Sequence, residues 1–202
     1  ILMIDAEVIN MNTNALDRSA KIVRILSAPP FAAALFVLTL YYSSKGIVTE
    51  KIQLTAMLVC LSALPVAAYP LSLLMHMSRS KQRTLAMILS FAAYSILAAL
   101  SLYFNWNYEI KLISLTYFAS SVWLIVFNKI FKLKASGHSC AVTGPGVMVC
   151  ALVNIKLLPA CVLLYALVLW ASLKTKRHSL KEYLLGSLCF ILANALAYVL
   201  LL

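Results

Sequence analysis

The chain of 202 residues is 63% hydrophobic and only 11% charged, with a mean hydropathy of +0.94. Soluble globular domains carry roughly a quarter charged residues, so that class is excluded. The net charge of +11 arises from 17 Lys and Arg against 6 Asp and Glu. No basic stripe interleaved with aromatics accompanies it, which argues against nucleic acid and for membrane topology, anionic headgroups or an anionic substrate.

Residues 1–25 are mixed in character and are expected to form an interfacial segment ahead of a single membrane domain, 26–202. Asp5, Glu7 and Asp17 precede the first apolar run. That is unlike a basic n-region, so no cleavable signal peptide is expected. Seven apolar segments follow, at approximately 26–43, 53–75, 84–104, 112–130, 139–154, 157–173 and 183–202. Several approach or exceed the ~18 to 20 residues that cross a bilayer core. They run continuously without alternating, which excludes a barrel of strands. The expected fold is an all-α polytopic bundle of six or seven spans.

Pro29 and Pro30 suit the first turn of the first span. Pro65 and Pro70 fall inside the second and predict a kink there. Gly144 and Gly146 flank Pro145 in the fifth and predict close helix packing or a local bend. The aromatics Tyr41, Tyr42, Tyr103, Phe104, Trp106 and Tyr108 cluster at span ends, as an interfacial belt would. His76, beside the polar stretch that follows the second span, reads as an interfacial residue. The five cysteines lack metal-ligand spacing and read as free thiols, four of them inside apolar runs. There is no internal repeat.

If the spans alternate, 13 of the basic residues share one side of the membrane and 4 the other. The positive-inside rule then assigns the basic side to the cytoplasm. Two polar interruptions late in the chain, "KLKASGHS" (132–139) and "LKTKRHSLKE" (173–182), both fall on that side. They contain His138 and His178, two of the three histidines. Glu182, the one carboxylate after Glu109, lies four residues beyond His178, on the same helical face. Polar groups near membrane depth are costly unless paired or functional.

A neutral imidazole oriented by a carboxylate is a competent nucleophile toward phosphorus. That gives His178 and Glu182 a joint role. Lys134 supplies positive charge, Ser136 a hydroxyl donor, and Gly137 close backbone approach at a helix N-terminus. His138 suits a general acid. Positioning and charge neutralisation carry most of phosphoryl transfer, so neither a metal nor a cofactor is called for.

These residues resemble the type-2 phosphatidic acid phosphatase superfamily. Lys134 to Ser139, K-A-S-G-H-S, is similar to its second signature, P-S-G-H, and more closely to a branch that reads K-x-S-x-H. Trp170 to Gly186 resembles the third signature, with His178 at the nucleophile, Gly186 at the glycine and Glu182 in place of an aspartate. The resemblance covers roughly residues 112–202. It implies a metal-independent helical bundle with a core like that of the vanadium haloperoxidases. It further implies a phosphohistidine at His178, oriented by Glu182, with His138 protonating the leaving group and Lys134, Ser136 and Gly137 holding phosphate oxygens. The third-signature arginine falls at Ser172, which leaves Lys174, Lys176 or Arg177 to compensate. The separate K-x6-R-P signature is absent unless Lys129 and Lys134 are its remnants, and four apolar runs precede the site where the usual layout has three.

The expected activity is hydrolysis of a phosphomonoester or diphosphate on an isoprenoid or glycerolipid, with a lipid phosphate and the bilayer as partners. The alternatives are transfer of the phosphoryl group to a lipid alcohol, or a non-catalytic relative that binds lipid headgroups. A transporter finds no support in inverted repeats.

Overall fold

The computed structural model describes residues 16–202; the expectations placed on residues 1–15 lie outside them. The structure is 82% helix, with no strands among the described residues. Eight helices follow in chain order: α1 (Leu16–Leu26), α2 (Pro29–Tyr42), α3 (Lys51–Leu74), α4 (Arg79–Tyr103), α5 (Tyr108–Ile130), α6 (Gly137–Leu152), α7 (Ile155–Lys174) and α8 (Leu180–Leu200). Each of the seven apolar segments is therefore a helix.

Five of them, α3, α4, α5, α7 and α8, are long and apolar enough to cross a membrane. A sixth span results if α1 and α2, bent by 56° at their junction, are taken together. The fold is thus consistent with a multi-pass membrane protein of five or six spans, against the six or seven expected. The fifth apolar segment falls short: α6 has 16 residues, about 24 Å of rise against a ~30 Å hydrocarbon core.

Helix ends follow local chemistry. Pro29 and Pro30 open α2, where the missing amide hydrogens have no intrahelical partner to lose. Side chains of Ser78, Asn107, Ser136 and Ser179 cap α4, α5, α6 and α8. After α3, α4, α5 and α7 the chain turns through left-handed residues that are not glycine: His76, Asn105, Lys132 and Lys176. His76 thus acts as a helix terminator. The expected disturbance at Pro65 takes the form of a π-helical turn over Val59–Ala63, just before the proline, and α3 continues past it.

Lipid offers no hydrophobic drive to helix association, so close packing and hydroxyl pairing must supply it. α5 packs against α4 and α8, and α8 packs in turn against α6. A Cβ on Gly144 would crowd the Phe190 ring at 3.0 Å, so the glycine lets α6 and α8 approach. Between α6, α7 and α8, Ser187 Oγ meets Ser139 Oγ at 2.7 Å, Thr143 Oγ1 at 3.0 Å and the Tyr165 hydroxyl at 2.9 Å. Ser101 and Ser114 join α4 to α5 at 2.6 Å.

Candidate functional site

Gly186 explains how the two late motifs meet. A Cβ there would overlap the main-chain carbonyl of Ser136, so only glycine lets α8 lie against the 134–139 segment. Two contacts fix that approach. The Ser136 amide donates to the Glu182 carbonyl at 2.9 Å, and Lys134 Nζ lies 3.4 Å from Glu182 Oε1. The Glu182 carboxylate also closes a capping box at the start of α8: Oε2 accepts from the Ser179 amide at 3.2 Å, while Ser179 Oγ accepts from the Glu182 amide at 3.3 Å.

The same Oε2 lies 3.0 Å from His178 Nδ1. A carboxylate on Nδ1 assigns the proton to that nitrogen and leaves Nε2 with its lone pair free for chemistry. The His178 side chain is only 10% exposed. Burial lowers its pKa below the ordinary 6.5; Glu182 opposes the shift, while the charges of Arg24 and Lys134 reinforce it. His178 is therefore neutral at pH 7.

His138 sits in the first turn of α6. Its pKa falls to about 4, chiefly through burial and then through the charge of Arg24; a hydrogen bond to the Arg24 main chain partly offsets this, and the nearby His178 lowers it further. Both imidazoles line one cavity of about 1730 Å³. Lys134, Gly137, Lys174 and Arg177 line it as well, together with Lys21, Lys132 and Lys176. The basic residues of α1 and the basic segments after α5 and α7 thus converge at one end of the bundle. Deeper walls are apolar or aromatic, including Met87, Tyr94, Tyr117 and Phe190. The two histidine motifs lie at the N-termini of α6 and α8, whose helix dipoles favour anions.

Two expected phosphate contacts are modified, and the third, Gly137, is open to the cavity. Ser136 is fully buried and does not line the cavity; its hydroxyl accepts from the Ser139 amide at 3.3 Å as the cap of α6. Lys174 Nζ lies 3.7 Å from Asp17 Oδ1, so part of its charge goes to docking α1. Gly137 lines the cavity, and a Cβ there would meet nothing within 4 Å.

Arg24, one of the 13 basic residues assigned to the cytoplasmic side, is a residue of the site that no sequence motif singles out. Its Nη1 donates to Ser172 Oγ at 3.3 Å, at the position where an arginine was expected. The helical spacing of Lys21 and Arg24 in α1 was the one available signal, and it did not indicate a destination.

Among the described residues, no group of three or more His, Cys, Asp or Glu side chains is arranged to hold a metal ion. No family model matches the chain, and no curated protein or solved structure does. The phosphatase likeness rests on the motif residues quoted above.

Proposed function

We propose that the chain is an integral-membrane lipid phosphatase of the type-2 phosphatidic acid phosphatase kind, with a helical core like that of the vanadium haloperoxidases. The observation that carries this reading is the 3.0 Å contact between His178 and Glu182 on the wall of a cationic cavity that His138 also lines. In the first step His178 Nε2 attacks phosphorus and the P–O ester bond breaks. His138 delivers its proton to the departing oxygen, and Glu182 stabilises the charge that develops on the nucleophile's ring. In the second step water attacks the phosphohistidine, His138 takes its proton, the P–N bond breaks and phosphate leaves.

The apolar walls below the basic rim favour a substrate whose phosphate is attached to a hydrocarbon, such as an isoprenoid or glycerolipid phosphate or diphosphate. The 13-to-4 split of basic residues favours a cytoplasmic site. The test is phosphate release by purified protein over a panel of lipid phosphates and diphosphates. Wild type releases phosphate, and His178→Ala falls to background, a loss on the order of 10⁴-fold or more. Full turnover in that variant refutes the assignment.

A further inference from the structure

Arg24 has no part in the chemistry above, yet it lines the same cavity as both histidines. Its guanidinium donates to Ser172 Oγ, which is fully buried at the end of α7. Its charge acts on both histidines. Arg177 is a second guanidinium within range. The ion pairs among the described residues are Lys134–Glu182, Lys174–Asp17 and His178–Glu182, so no carboxylate of the described residues neutralises Arg24.

A half-buried guanidinium facing another guanidinium and two imidazoles is unfavourable while the site is empty, and becomes favourable once an anion arrives between them. Among the described residues the side-chain bond to Ser172 occupies one of five N–H donors, and the remaining donors of the fork suit a ligand. A guanidinium can bridge two oxygens of one phosphoryl group, which a lysine ammonium cannot.

We propose that Arg24, delivered by the N-terminal helix α1 and anchored on Ser172, is the guanidinium that grips the phosphoryl oxygens beside His178. The identity of the anion rests on the phosphatase reading; the anion site itself does not. A purely structural Arg24 pins α1 to α7, and its loss lowers stability while leaving anion affinity intact.

The experiment measures orthovanadate binding and lipid-phosphate turnover by the full chain in detergent, with folding checked by gel filtration and circular dichroism. Arg24→Ala is expected to weaken vanadate binding and kcat/KM by ~10²- to 10³-fold. Arg24→Lys keeps the charge but not the fork and loses a smaller factor. Adding Ser172→Arg to Arg24→Ala returns a guanidinium to the same place from α7 and recovers most of the loss. If Arg24→Ala does not fold, Arg24→Lys decides: vanadate affinity equal to wild type overturns the proposal. Vanadate binding that depends on Arg24 while His178→Ala keeps its turnover sinks the hydrolase reading and leaves Arg24 in place. A dead His178→Ala beside Arg24 variants that bind and turn over like wild type does the reverse.

Discussion

The two ends of the bundle use the same helix-ending devices to different effect. At the end away from the cavity, Asn107 caps α5 through the Ile110 amide at 3.0 Å and donates to the Ile47 carbonyl at 2.7 Å. Gln53 Oε1 accepts from the amides of Thr49 and Glu50, and Trp106 is buried. Polar groups there are satisfied locally, and Lys45, Lys51 and Lys156 are exposed to solvent or headgroups. At the cavity end, capping residues also serve the site: the Glu182 carboxylate that closes a capping box holds an imidazole and a lysine as well. Crowding of half-buried cations has no counterpart at the far end. Helix termination therefore does not require it, and binding an anion does.

After loss of His178 itself, removing the proposed acid should have the largest effect. His138→Asn keeps a polar side chain without a titratable proton and should lower turnover by ~10²- to 10⁴-fold. The pH profile separates the two rings. The acid limb of kcat/KM should lie below 6.5, because activity fails only as pH falls through the lowered pKa of His178. His138, at about 4 in the empty site, must gain its proton from solvent when an anionic phosphoryl group binds and raises its pKa. The basic limb of kcat should report that raised value and vanish in His138→Asn. A basic limb that survives in the variant assigns the acid role elsewhere.

Next in size is Gly186→Ala, which forces the Ser136 carbonyl and α8 apart. The expected cost is ~3 kcal/mol of stability, with loss of turnover even where the protein stays folded. Thermal unfolding in detergent beside turnover measures both, and wild-type behaviour in each would show that the two motifs need not touch. The smallest effect tests the far end. Asn107→Ala removes a cap and should cost ~1 kcal/mol with unchanged turnover, since no residue of the site touches it. A catalytic defect there would erase the distinction between the ends.

Much of the bundle was legible because long apolar runs admit few alternatives to helix. Boundaries moved where polar first turns belong to helices but look like loops: α5 begins at Tyr108 because Asn107 caps it, ahead of an apolar run that starts near 112. The shortness of α6 is a matter of length, which its hydrophobicity conceals. The His178–Glu182 pair was readable from its spacing, although His178 lies just ahead of the cap Ser179 and meets Glu182 across the first turn and not along one helical face. Arg24 was not, since 148 residues separate it from Ser172 and only the packing of α1 across the end of α7 joins them. Ser136 was misjudged for a related reason: a hydroxyl next to a helix start has a nearer acceptor role, toward its own third amide, than any ligand.

The order of chain synthesis acquires a meaning from the clasp at Glu182. Its carbonyl holds one motif, its carboxylate holds the other, and the helix bearing it follows all the rest of the described bundle. A nascent chain that has inserted α1 to α7 carries Arg24 and His138 but no residue to orient the second imidazole. For the hydrolase proposed above, catalytic competence would wait until residues 180–200 have docked on the rest of the bundle, and half-made protein would be inert toward the lipids around it.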